Sequence, residues 1–217
     1  MKKRIGGIIC SVLSLLMNLF IVCAEPVALP MSWDWGHETI FWYYTEDSNI
    51  FAATVCAMVA IAQLISIFTG RAIPHWLKRL KFVATSCLAL TMLTVVFVLA
   101  PMYGPGGYYV TMFTSSMLYH HFLNPVIAMV SFIFLERTPR LEKSDIKWAL
   151  LPTLIYGSIM VCLNIAHIMD GPYPFLKVYE QSVLASVMWV AVIFGADYFY
   201  SWLLWKLGGN GRRKIKA

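Results

Sequence analysis

The sequence predicts an all-α, polytopic membrane protein: one bundle of six transmembrane helices, with both termini on the cytoplasmic side. Three observations predict it. The 217 residues are 59% hydrophobic and only 13% charged, whereas a soluble domain is about half apolar and a quarter charged. Six apolar segments are long enough for a hydrocarbon core, which takes roughly 20 helical residues. Basic and non-basic connections alternate between those segments. Residues 1–217 form a single transmembrane domain, with no detectable boundary, low-complexity stretch or internal repeat.

The segments lie near 5–24, 40–69, 82–101, 113–135, 147–168 and 181–206, with ends uncertain by about two to four residues. The second exceeds the length needed, which predicts an interfacial start at Trp42 or a strong tilt. Lys2, Lys3 and Arg4 precede the first segment, and the loop from Glu25 to Ile40 has no Lys or Arg. Arg71, Lys78, Arg79 and Lys81 mark the next connection; Met102 to Met112 is uncharged and rich in turn residues. Arg137, Arg140, Lys143 and Lys147 follow, then a loop with Lys177 alone, then Arg212, Arg213, Lys214 and Lys216. The positive-inside rule turns this alternation into cytoplasmic N- and C-termini.

The first segment also reads as a signal peptide, with Lys2-Lys3-Arg4, an apolar stretch and Val22-Cys23-Ala24 before Glu25. Its apolar region exceeds the 7–15 residues of such a peptide, so it is expected to stay as the first helix. The net charge of +6 sits in topology-setting clusters, which argues against nucleic acid as a partner. The five cysteines (Cys10, Cys23, Cys56, Cys87 and Cys162) have no zinc-type spacing and lie in or beside apolar runs, as small hydrophobes do. No metal and no cofactor is expected.

Three polar motifs fall on the outer side of this topology. Tyr44-Thr45-Glu46-Asp47-Ser48-Asn49 opens the second segment and puts Thr45, Ser48 and Asn49 on one helix face. His120 and His121 begin the fourth, followed by Asn124 and Pro125. Asp170 to Leu176, with Tyr173, forms the last outer loop. In hydrocarbon such groups must pair inside the bundle or line a cavity. Asp197, within the sixth segment, is a functional candidate by the same logic, or a helix–helix hydrogen-bonding group.

The aromatic-Thr-x-x-Ser-Asn pattern, Leu-x-His-x-x-x-Pro with His121 and Pro125, and Tyr173-Pro174-Phe175-Leu176 occur in order along a six-helix chain. In this the sequence resembles the intramembrane threonine hydrolases that include androgen-induced protein and androgen-dependent TFPI-regulating protein, and their small bacterial relatives. The chain has Phe132-Ile133-Phe134 and Glu136 where bacterial members often carry Asp and Trp, and it has a second histidine, His120. The resemblance implies a multi-pass protein of a bacterial plasma (inner) membrane. It also implies hydrolysis of fatty acid esters of hydroxy fatty acids, with Thr45 as nucleophile and His121 as base.

The residues support such chemistry independently. A threonine hydroxyl needs a base, and histidine, with an unperturbed pKa of about 6.5, suits the task. Asn49 and Asn124, with Ser48, are the expected oxyanion or pocket groups. Asp47, His120, His167, Asp170 and Tyr173 are expected orienters or rim residues. Apolar helices supply walls for an acyl chain without special machinery. The bland readings stay open: Thr45 and Ser48 bonding the preceding turn, and His120 and His167 packing at the interface. The expected partners are a lipid or fatty acyl ester substrate and the membrane lipids. The alternatives are a non-catalytic lipid-binding or scaffold protein and a small-solute transporter.

Overall fold

A computed structural model describes residues 2–136 and 141–210. Arg137, Arg140, Arg212, Arg213, Lys214 and Lys216, used above for orientation, lie outside the described residues, as do the side chains of Lys2, Lys3 and Arg4. The described residues form helices and their connections, with no strand. Six helices are long and apolar enough to cross a membrane, which makes this an all-α multi-pass membrane protein.

Helix α1 runs Lys2–Gly36, and a 3-10 turn over His37–Trp42 leads into α2, Tyr44–Thr69. Helix α3 covers His75–Met102. A short α4, Gly107–Phe113, breaks at Ser115, where φ is 46°. Helices α5 (Leu118–Leu135), α6 (Ile146–Ile165) and α7 (Val183–Trp205) complete the chain. Helix α3 is central: it packs against α2, α5, α6 and α7, while α1 packs on α2 and α5.

Local chemistry explains the ends. Gly70 stops α2 in the left-handed conformation (φ 72°), its N–H donating to the Ser66 carbonyl, which suits a residue without Cβ. The Ser182 hydroxyl caps α7 by accepting from the Ala185 N–H at 3.2 Å, one of the orphan donors of a helix start. Asp145 and Glu142 form a reciprocal capping box before α6, and Arg79 of α3 donates to Asp145 at 2.6 Å.

Two expectations are corrected. The loop from Glu25 to Ile40 is helical to Gly36, with Pro26 and Pro30 inside α1; prolines are tolerated in membrane helices where neighbours re-satisfy the freed backbone. The basic connection before the third segment is also shorter. Helix α3 begins at His75, and Lys78 and Lys81 are buried within it.

Lys81 can be buried because the bundle brings partners to it. Its ammonium donates to Asn18 Oδ1 of α1 at 2.6 Å and to Cys56 Sγ of α2 at 3.1 Å. Glu136 Oε1, just past α5, lies 3.7 Å away. Asn18 and Gln63 bond each other at 3.3 Å, and Gln63 Nε2 donates to Ser14 Oγ at 2.7 Å. Buried charge is tolerated only when paired and hydrogen-bonded, and this network draws on every helix from α1 to α3 plus the end of α5.

Candidate functional site

Helix α2 begins at Tyr44, so Thr45 sits in its first turn, where backbone N–H groups have no partner within the helix. The Thr45 N–H donates to the Tyr173 hydroxyl at 3.3 Å. The Thr45 hydroxyl lies 3.1 Å from His121 Nε2 and 3.4 Å from the Tyr173 hydroxyl. The structure thus brings together three residues from α2, α5 and the loop before α7.

His121 is placed by two interruptions of regular helix. Helix α4 stops at Phe113, leaving its last carbonyls without intrahelical donors. One of them, Thr111 O, lies 2.6 Å from His121 Nδ1. A carbonyl only accepts, so Nδ1 carries the proton and Nε2 presents a lone pair to the Thr45 hydroxyl. The second interruption is the widened π-turn over Leu118–Leu123. Pro125 follows it, lacking an N–H and crowding the preceding turn. The carbonyl of His120 is left to the Asn49 side-chain amide, which donates to it at 3.3 Å.

That contact corrects the expected role of the asparagines. Asn49 Nδ2 also donates to the Thr45 carbonyl at 2.8 Å, and Asn124 Nδ2 donates to Asn49 Oδ1 at 3.0 Å. Both amides are engaged in joining α2 to α5, and neither residue lines the cavity described below. Ser48 donates to the Thr45 carbonyl and bonds Thr91 of α3, each at 3.0 Å. The donor that does face Thr45 is Tyr173. Its ring is stacked on Phe175 (centroids 5.1 Å apart) and meets Tyr43 edge-on. Burial pushes its phenol well above the usual tyrosine range, so it stays a donor.

The expected orienters lie elsewhere. Asp47 and Asp170 are exposed, and the Thr111 carbonyl holds the ring that they were expected to hold. His167 is exposed and stacks on Tyr179. His120, expected at the interface, is 0% exposed. Glu25 Oε2 of α1 lies 3.3 Å from its Nε2, and Glu46 Oε1 of α2 lies 3.7 Å from its Nδ1. Glu46 Oε1 also accepts from Ser32 at 3.1 Å. Sequence reading missed Glu25 and Glu46, although a carboxylate inside an apolar run was signal enough. Asp197 is buried and accepts from Ser201, one turn on, at 3.3 Å.

Thr45 and Tyr173 border an open-sided cavity of about 760 Å³ lined by α3, α6, α7 and the loop before α7. Its walls are chiefly apolar, among them Leu90, Leu99, Val161, Val190 and Ile193. The volume falls in the range of small-molecule pockets, about 300–1,000 Å³. The hydroxyl therefore lies at the edge of a space suited to hydrocarbon. Among the described residues, no cluster of His, Cys, Asp or Glu is arranged to hold a metal ion.

No protein family, curated protein or solved structure matches the chain.

Proposed function

We propose that this protein is an intramembrane lipid-ester hydrolase of a bacterial inner membrane, with both termini cytoplasmic, Thr45 as nucleophile and His121 as base. The observation that carries the reading is the Thr45–His121 contact at 3.1 Å, oriented by Thr111 and placed beside an apolar cavity. The resemblance to the intramembrane threonine hydrolases points the same way and suggests fatty acid esters of hydroxy fatty acids as substrates.

In this mechanism the acyl chain occupies the cavity and its ester carbonyl meets Thr45. His121 Nε2 takes the hydroxyl proton as Thr45 Oγ1 bonds to the carbonyl carbon. The Tyr173 hydroxyl, still protonated, donates to the oxyanion. Collapse breaks the bond to the leaving alcohol, which receives the proton from His121, and leaves an acyl-Thr45 ester. Water then attacks that ester, giving its proton to Nε2; on collapse the proton returns to Thr45 and the fatty acid departs.

A lipid-directed fluorophosphonate probe tests the reading on the purified full-length protein in detergent. Covalent labelling at Thr45, abolished by Thr45→Ala, is expected, together with hydrolysis of such esters. The cavity alone also suits a lipid-binding protein without turnover. Bound lipid without labelling or hydrolysis is the outcome for that reading.

A further inference from the structure

The reacting pair has a neighbouring pair. Glu46 follows Thr45 on α2, and His120 precedes His121 on α5, while Glu25 reaches the same point from α1. Both nitrogens of the His120 ring face carboxylate oxygens, at 3.3 and 3.7 Å. The side chains of Glu25, Glu46 and His120 are 8%, 2% and 0% exposed. These are ion-pair contacts rather than aligned hydrogen bonds.

A neutral imidazole would turn one lone pair toward a carboxylate, whereas an imidazolium offers an N–H to each. A single carboxylate would be enough to neutralise and tie down that ring. The second leaves a surplus of one negative charge among buried side chains, where charge acts strongly over several ångströms. His121 needs such a charge. Its Nδ1 is satisfied by a neutral carbonyl, and among the described residues no carboxylate pairs with it to offset the positive charge it acquires during attack.

We infer that Glu25, His120 and Glu46 form a positioning cluster, an imidazolium held between two carboxylates, whose surplus negative charge stabilises His121 as it takes the proton of Thr45. The role rests on the hydrolase reading above; the protonation of the cluster does not. The groups around the two rings are few. Helix α1 brings Glu25, with Asp34 exposed; α2 brings Glu46, with Asp47 exposed. The 3-10 turn between α1 and α2 carries His37 and Glu38, both exposed. Helix α4 offers the Thr111 carbonyl, and the loop before α7 offers Tyr173. From Leu88 to Met102, the end of α3 near the site has no charged residue.

Two measurements on the full-length protein in detergent test the cluster. In ¹⁵N-histidine-labelled protein at pH 8, the His120 ring, assigned through His120→Gln, is expected to show both nitrogens protonated. The rate of probe labelling is then followed against pH. Glu25→Gln and Glu46→Gln each remove the surplus charge, making protonated His121 less favourable. The acid limb of labelling should move to lower pH by about one unit, with a lower plateau rate.

A purely structural role would instead lower the labelled fraction equally at every pH. An unmoved limb in both variants overturns the inference. A neutral His120 in a protein that labels normally overturns the cluster alone. Absence of labelling in the wild type overturns the positioning role together with the Thr45 reading, and the histidine spectrum then shows separately whether the buried imidazolium is real.

Discussion

His121 Nδ1 lies 2.6 Å from the carbonyl oxygen of Thr111, so a backbone atom at the end of a seven-residue helix fixes the tautomer of the candidate base. A carboxylate does this in the familiar Ser-His-Asp arrangement. Here the short helix α4 and the break at Ser115 leave a carbonyl unpaired, and the ring fills the vacancy. Loss of the base therefore has several separable routes.

The direct route is removal of the reacting groups. Thr45→Ala and His121→Ala should each lower ester hydrolysis by about 10³-fold or more, with the double variant little worse than either. Thr45→Ser, which keeps a hydroxyl, should retain part of the rate. Turnover in detergent and thermal melting, measured side by side, check that the bundle survives. Full activity in Thr45→Ala would end the assignment.

Acid should act through the same base. His121 must be neutral to accept a proton, so hydrolysis is expected to decline as the pH is lowered and the ring protonates. A rate–pH profile that stays flat into acid would place the proton acceptor elsewhere.

Tyr173→Phe removes the donor facing Thr45 while keeping the stack on Phe175. The expected result is a fall in kcat of about 10²-fold with little change in KM. The same variant reports on alkaline stability. Burial raises the Tyr173 pKa in the folded protein, so the unfolded state ionises first, near pH 10. Its contribution is fully present below that pH and is lost as pH rises toward the folded value. Unfolding above pH 10 should accordingly be less steep with pH in Tyr173→Phe than in the wild type.

Val161→Trp places a large ring in the wall of the 760 Å³ cavity. Hydrolysis of long-chain esters should drop at least about tenfold in kcat/KM, while short-chain esters are spared. Equal losses for both would show that the acyl chain lies elsewhere.

At the opposite end of the bundle, Lys81→Met leaves Glu136 near the core without its cation. A destabilisation of about 3–5 kcal/mol is expected, with most of it recovered in Lys81→Met/Glu136→Gln. Denaturation in detergent, read through the Tm, checks both variants.

The six helices were legible because about twenty apolar residues in a row admit few other structures. Their ends were less so. Pro26 and Pro30 read as a loop, and Lys78 and Lys81 read as its charged counterpart, because the partners that permit them inside a helix come from elsewhere. Glu136, for one, is far along the chain from Lys81. At the site, Thr45 and His121 were visible as side chains of the right chemistry at the start of two helices. The Thr111 carbonyl was not, since a backbone atom leaves no trace in residue identity. Asn49 and Asn124 looked like free donors because two of their acceptors, the His120 carbonyl for Asn49 and Asn49 Oδ1 for Asn124, depend on how α2 meets α5. Glu25 and Glu46 were readable by the rule that singled out Asp197, but the boundaries drawn at residues 24 and 40 left them in or near a presumed loop.

The pairing of Lys81 with Glu136 also bears on how the chain is made. Glu136 lies 55 residues beyond Lys81, so Lys81 leaves the ribosome before Glu136 does. During that interval the Lys81 ammonium lacks its Glu136 partner, and its long stem lets it reach the interface. Insertion of α3 and burial of its lysine are therefore separate events in time. The first three helices wait in a provisional arrangement, and the arrival of α5 closes the bundle around the charge.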